Sequence, residues 1–572
     1  MRRDPTANIR GGAALLASYQ RVPSTDPAQW HAAVARYAGS RAFADEVLRV
    51  IRDGVIRRTD DGSLIRLPAH PDLRSPARPA EGKAECPRSL NCEWMPAAYA
   101  KTGKGGYGNH DRLNRPRRID YIVIHDTEGP FTGIPRMVQN PKYVSWHYTI
   151  RSRDGHIAQH VRTGDIAWHA GNWDVNTRSI GIEHEGYLAK GGTWYTEAMY
   201  RASARLVRHL AAEHRIPLDR AHILGHDNVP GTTPDALAAM HEDPGPYWDW
   251  AHYFDLLGAP LDKRTKRLDA LADAPSDRPD TLAAGPSGGL ATLTAEPSDG
   301  GDTQPAQPII TLAAGPSGPI NALAARARPS DELATSYENH HLQPAGTPPL
   351  QARDPYAEAR PRRAKSVVIL PEYDEHQPRF TGCKRAKPRR ACPPHGASSV
   401  WLHTEPRHDA PLVDDIGKRV GKPSTYSVYD HSARASAGQR FALAERRGEW
   451  TAIWYLGRKA WFHDPKDRPA AVPARGPVVV PRGPKVKVYG RAYPEKSAYR
   501  GTGVDYQDHV PLPYRIGPGQ AYTVGDTVTG LYHSAAYRPA KHVTVKGDIR
   551  YYQIQLGHRI AFVKAEDVRL RR

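Results

Sequence analysis

No apolar run in the 572 residues approaches the ~18–20 needed to cross a bilayer, so no helical membrane span is expected. No secretory leader is visible. Met1-Arg2-Arg3 is basic, but Asp4-Pro5-Thr6 stands where an apolar stretch should follow, and Ala13-Ala14-Leu15-Leu16 is too short to replace it. If the protein is exported, this start is expected to be either a chosen boundary or an incomplete N-terminus. Nucleic-acid-reading motifs are also missing, which leaves a basic surface without a reader of bases. Cysteine is scarce: four residues, Cys86 with Cys92 and Cys383 with Cys392, each pair close in sequence. Two local disulfides in an exported protein fit this pattern best. A four-thiolate zinc site is the alternative, against which stand the absence of C-x-x-C spacing and the distance between the pairs. Free cytosolic thiols are the third reading.

What is abundant is positive charge. The formal net charge is +19, which favours a polyanionic partner such as an acidic polymer; a merely soluble basic surface is the competing account. The length exceeds what one core supports, so several domains are expected.

Residues 1–68 read as a short helical segment. Asp26-Pro27 is an N-cap followed by proline at the first helical position, with Trp30, Val34 and Tyr37 on one face. A second helix carries Phe43, Val47, Val50 and Ile51, and Asp60-Asp61-Gly62 marks a hairpin turn. Residues 69–116 are rich in Pro and Arg and read as a linker clipped by the first cysteine pair. Residues 117–258 alternate strands and helices, predicting an α/β domain with a mixed sheet flanked by helices. The strands are expected at Ile119–Ile124, at His147–Ile150 with His156–Val161 as a hairpin, and at Ser179–Glu185. Thr196 caps a long helix along Met199, Leu206, Val207 and Leu210. Residues 259–363 twice read T-L-A-A-G-P-S-G and nearly lack aromatics, the composition of a flexible linker. Short strands rich in Val, Tyr and Trp then return, predicting two small all-β barrels over 364–470 and 471–572. The whole is a multidomain chain.

The chemistry concentrates in the α/β region. His125 ends its first strand, Leu224-Gly225-His226-Asp227 forms a loop, and His241-Glu242-Asp243-Pro244-Gly245 a turn. Two imidazoles and one carboxylate are the donor set of a catalytic zinc site with an open fourth position. Glu183 lies on a strand, and Trp168-His169-Ala170-Gly171 forms a further loop. A lone histidine at a strand end is more often structural than a ligand, so the argument rests on the set.

The region from about Arg117 to Leu257 resembles the zinc-dependent N-acetylmuramoyl-L-alanine amidases, whose fold is shared with peptidoglycan recognition proteins. Ser145-Trp146-His147-Tyr148 and Met240-His241 before Asp243-Pro244-Gly245 are similar to secreted actinobacterial members. Residues 365–572 resemble their C-terminal Src-homology-3-type modules. Residues 1–68, through Asn8-Ile9-Arg10-Gly11-Gly12-Ala13 and Tyr37-Ala38-Gly39, resemble the tail of a lysozyme-like domain, without a catalytic acid. The amidase resemblance implies Zn2+ on His125, His226 and Asp243, Glu183 as the catalytic base, and His241 where many relatives carry an oxyanion-stabilising lysine. Trp146, Trp168, His169 and Trp173 are the candidate substrate contacts, with core packing as the competing account of Trp168 and Trp173. The implied activity is hydrolysis of the amide between N-acetylmuramic acid and the L-alanine of the stem peptide. The implied partners are peptidoglycan and anionic wall polymers, with no nucleic acid, for a secreted or wall-bound monomer. The alternatives are a non-catalytic binding protein of the same fold, whose relatives typically lose the last ligand, and a wall adhesin with a vestigial amidase domain.

Overall fold

The computed structural model describes residues 5–262 and 366–572, except 21, 23, 39–43, 45–46, 49–50, 53, 59–63, 71–72, 74–83, 88, 104–105 and 385–389. The N-terminal segment has helices Pro5–Ser18 and His31–Ala38. Between them Asp26 accepts from the Ala28 N–H at 2.9 Å, the cap read in the sequence. Strands β1 (Val55–Arg58) and β2 (Leu64–Leu67) pair antiparallel. The Asp60-Asp61-Gly62 turn, Phe43 and Val50 lie outside the described residues, as does the linker from residue 263 to 365.

Residues 69–116 do more than connect. Their strands are β3 (Cys92–Trp94), β4 (Lys101–Thr102), β5 (Gly106–Tyr107) and β6 (His110–Asp111). The central domain adds β7 (Tyr121–Asp126), β8 (Tyr148–Ile150), β9 (Ile157–Gln159), β10 (Ile166–Ala167), β11 (Ser179–His184) and β12 (Ile223–Gly225). One six-stranded sheet runs in the order β12-β7-β11-β8-β9-β3. Only β8 and β9 pair antiparallel, so the sheet is mixed. The linker expectation for 69–116 is therefore corrected at β3, which adds the edge strand and lies parallel to β9. The Cys86–Cys92 disulfide ends on the first residue of that strand and ties the approach to it.

The central strand β7 is buried on both faces, as parallel strands are when both sides are covered. Ile122, Ile124, Ile180 and Ile182 face the helix Glu197–His214 and meet its Met199, Leu206, Val207 and Leu210. Thr196 caps that helix by accepting from the Met199 N–H, and Arg215 ends it with φ of 58°. The opposite face was expected to carry helices too. There Val123 packs on Val175, Val229 and Met240, but Tyr121 and Leu224 pack on Tyr489, Val528, Tyr551 and Phe562. Part of that face is thus closed by the C-terminal strands.

The strands of the two large C-terminal sheets all pair antiparallel. A five-stranded sheet runs Arg458–His463, Trp450–Tyr455, Arg440–Arg447, Ser366–Ile369, Ala471–Ala474. The last strand pairs with the first segment of the region, Ser366↔Ala474 to Ile369↔Ala471, so this sheet extends past residue 470. A seven-stranded sheet uses Pro511–Ile516, Val486–Tyr489, Ile560–Lys564, Thr544–Gln555, Tyr522–His533, Val478–Pro481 and Val568–Arg571. Both sheets contribute to one core, with Phe441, Ile453 and Tyr455 against Val488, Tyr522 and Ile554. Cys383 and Cys392 form the second disulfide. No described helix is long and apolar enough to cross a membrane.

Candidate metal centre

The parallel register of β7 and β11 places Glu183 directly beside His125. From the other side, β12 runs parallel to β7 and delivers His226 just past its end. Asp243 arrives on the following loop, where its carbonyl accepts from the Asp227 N–H at 2.8 Å. Three separate segments thus bring His125, His226 and Asp243 together, with one donor atom from each within 4.8 Å of the others, all buried. His125 Nδ1 lies 3.2 Å from Asp243 Oδ2, and His226 Nδ1 lies 3.1 Å from Asp243 Oδ1.

Hydrogen bonding selects the donor atoms. His125 Nε2 sits 2.9 Å from His169 Nδ1, whose Nε2 sits 3.1 Å from Ser179 Oγ. With His125 Nε2–H donating to His169, its Nδ1 lone pair is left for a metal. Burial, with His226 adding to it, pushes the His125 imidazole down to about 4, so this ring is neutral and ready to bind a cation at neutral pH. Burial opposes ionisation of Asp243, but His226 and the imidazoles of His125 and His241 around it outweigh it and hold the carboxyl well below its usual range. Two imidazoles and a carboxylate held in its ionised form converge, which is the donor set a zinc ion requires.

Glu183 stands apart from this set. Its Oε1 is 4.0 Å from His125 Nδ1, and its buried Oε2 has no hydrogen-bond partner among the described residues. Burial, reinforced by Asp243 and Asp126, pushes its carboxyl well above the ordinary range. A raised, unpartnered carboxyl beside a metal-binding set is suited to accepting a proton from a ligand of that metal. The space beside it is not open: a Cβ at Gly181 would lie 2.6 Å from the His169 ring, so this glycine admits His169. His241 is 70% exposed, with Nδ1 3.7 Å from Asp243 Oδ1, and the carboxylate beside it raises its imidazole.

The four candidate substrate contacts divide. Trp146 is buried in the core and donates its indole N–H to Thr149 Oγ1 at 2.6 Å. Trp173 donates to the His533 carbonyl at 2.8 Å and is half-covered by the C-terminal region. Trp168 is half-buried and donates to Asp111 Oδ2 at 2.7 Å. His169 is buried against His125 and supports that ligand.

Several supporting residues had no signal in the sequence. Asn176 Oδ1 accepts from the N–H groups of His169 and Ala170 and fixes that loop. Tyr195 donates to Asp126 Oδ2 at 2.6 Å and approaches the Pro244 carbonyl at 2.9 Å, joining the end of β7 to the Asp243 loop. Asp227 receives His558 Nε2 at 2.7 Å from a position 331 residues away.

A family model described as N-acetylmuramoyl-L-alanine amidase matches residues 115–246. The chain is 36% identical over 154 residues to N-acetylmuramoyl-L-alanine amidase A of Achromobacter lyticus, covering 24% of this chain and 81% of that protein. It is 30% identical over 168 residues to 1,6-anhydro-N-acetylmuramyl-L-alanine amidase AmpD of Haemophilus influenzae, covering 25% of this chain and 85% of that one. Among solved structures, a complex of the amidase AmiD from E. coli matches at 22% identity and a TM-score of 0.22, over 32% of this chain and 75% of that one. The region that places His125, Glu183 and His226 on adjacent strands and loops lies within the residues the family model matches, and the chain belongs to the N-acetylmuramoyl-L-alanine amidase family.

Proposed function

We propose that this chain is a peptidoglycan amidase, cleaving the bond between N-acetylmuramic acid and the L-alanine of the stem peptide. The observation that carries the reading is a complete His125, His226 and Asp243 donor set beside the buried, unpartnered Oε2 of Glu183. His125, His226 and Asp243 would hold a zinc ion, which would supply a Lewis acid and lower the pKa of water towards ~7.

The protein's own groups do the rest. Glu183 Oε2 takes the proton released by the attacking water and returns it to the leaving L-alanine amine, which a carboxyl raised by burial can do in both directions. His241 projects from the loop of Asp243 and donates to the oxyanion of the tetrahedral state. His169 holds the His125 ring through Nε2 and keeps its donor atom aimed. Tyr195 keeps Asp126 and Pro244 together, so the ends of two ligand-bearing segments move as one.

The C-terminal sheets are Src-homology-3-type modules in this reading, of the kind carried by secreted actinobacterial relatives. The protein is a secreted or wall-bound monomer that also meets anionic wall polymers through its positive charge. Two disulfides support an oxidising compartment, and the +19 balance supports an acidic polymer. Incubation with purified muropeptide followed by mass spectrometry, with and without a chelator, tests the proposal. Release of a free stem peptide only in the metal-loaded sample is expected; no cleavage with zinc bound would favour the binding-only reading.

A further inference from the structure

Both ligand-bearing loops of the metal centre are held from behind by the C-terminal β region, and the contacts converge on one turn. His558 and Arg559 sit between strands Thr544–Gln555 and Ile560–Lys564. His558 Nε2 meets Asp227 Oδ2 at 2.7 Å, one residue after the ligand His226. The His558 carbonyl accepts from Asn228 Nδ2 at 3.1 Å, so the same loop is gripped twice. Arg559 donates to Asp415 Oδ2 at 2.9 Å, and Asp415 Oδ1 accepts the backbone N–H groups of Gly417 and Lys418 at 3.0 Å each.

Lys418 then reaches the other loop. Its side chain is 8% exposed, and a buried ammonium is costly unless its three donors are met. They are met by three acceptors on one stretch, the end of the helix Pro234–Ala238 and the loop after it: the Ala238 carbonyl at 3.4 Å, the Met240 carbonyl, and Glu242 Oε1 at 2.6 Å. That loop continues into Asp243. Glycine at 417 is required for the approach, since a Cβ there would lie 2.5 Å from Leu237 Cδ1 and 2.5 Å from Tyr514 Oη.

We propose that the C-terminal β region is a brace of the metal centre, and that Lys418 is a positioning residue that fixes the loop carrying His241 and Asp243. The inference rests on the amidase reading only for its turnover arm; its metal-affinity arm stands on the donor set alone. Charge and position predict opposite signs here. If Lys418 acted only as a cation near the site, it would repel a dication, and its removal would tighten zinc binding. If it positions the loop, its removal loosens a ligand and weakens binding by about the 10–100-fold typical of lost supporting contacts.

The test is zinc affinity of the full chain, by competition with a chromophoric chelator, for the parent, Lys418→Met and Lys418→Arg. The expected result is zinc binding weakened about tenfold or more in Lys418→Met and largely restored in Lys418→Arg, which keeps both donors and charge. At saturating zinc, kcat on a soluble muropeptide should fall in Lys418→Met with KM changed less than about twofold. Unchanged or tighter zinc binding in Lys418→Met would overturn the proposal. If Lys418→Met does not fold, His558→Gln, which breaks the brace at the His226 loop, decides by the same measurement, weakened affinity supporting the proposal and parent affinity overturning it. A parent that binds zinc but cleaves nothing would refute the amidase reading while leaving the affinity comparison intact.

Discussion

Replacing Glu183 with glutamine separates proton transfer from metal holding, and it should change activity and stability in opposite directions. The side chain is 13% exposed, its Oε2 has no partner, and burial with Asp243 and Asp126 raises its carboxyl well above the ordinary 4.5. Glutamine keeps the shape but accepts no proton. Turnover should fall ~10²–10⁴-fold, about 2.7–5.5 kcal/mol in the barrier, as for a lost general base. Zinc content should stay near one per chain, because Glu183 is not among the three converging donors. Stability follows from the sign of the shift. A carboxyl raised in the folded state contributes stability that is fully present below about 4.5 and is lost as pH rises through the folded value. The loss proceeds at no more than about 1.4 kcal/mol per pH unit, and glutamine does not share it. In chelator, Glu183→Gln should therefore gain on the parent as pH rises above about 4.5, read by urea unfolding across that range. Metal analysis and muropeptide cleavage complete the assay. Parent-like turnover would refute the proton-transfer role, and a stability difference independent of pH would refute the account of a strained carboxylate.

Chelation should abolish cleavage and added zinc restore it, and Asp243→Ala should lose metal and activity together, whereas metal-independent turnover would dismiss the centre. Burial lowers His110, His160 and His533 to about 4 and His184 to about 3. The unfolded chain therefore binds more protons below about 6.5, and stability should be complete above that pH and fall on acidification by up to about 1.4 kcal/mol per unit for each histidine. Unfolding midpoints that stay flat from about pH 7 to 5 would contradict those burials. Cutting the chain near residue 360 should expose Tyr121 and Leu224, each worth ~1.5–3 kcal/mol when covered, and reduce cleavage of soluble muropeptides as much as of intact walls. Survival of the soluble activity would instead mark the C-terminal region as a wall anchor alone.

The sequence exposed the metal centre because zinc chemistry demands particular residue types, and these fall in short local patterns. His125 closes an apolar strand, and Gly225-His226-Asp227 and Asp243-Pro244-Gly245 are turns readable within a few residues. The long helix and the strand of Glu183 were legible for the same reason, since periodicity and Thr196 as a cap are local signals. What escaped was contact across distance. Cys92–Trp94 looked like part of a Pro/Arg-rich connector because a three-residue edge strand has no period to detect. Trp146 looked like a groove residue because its partner, Thr149, is revealed only by the turn of the chain. Nor does the sequence show that His169 packs against Gly181, where a Cβ would lie 2.6 Å from its ring.

Ligands on loops also explain why distant residues matter. Of the three proposed ligands, only His125 lies within a strand; His226 sits just past the end of β12, and Asp243 on a connection between helices. Sites built on loops are held less tightly than sites on strands, so their geometry must be fixed from outside. For His125 the outside support is local, His169 against the neighbouring strand. For His226 and Asp243 it comes from His558, Arg559, Asp415 and Lys418, all more than 170 residues away in sequence. A residue such as Lys418 reads in the sequence as one more lysine of a basic chain. Only when the sheet of the C-terminal region lies against the α/β domain do its three donors meet the stretch that leads into Asp243.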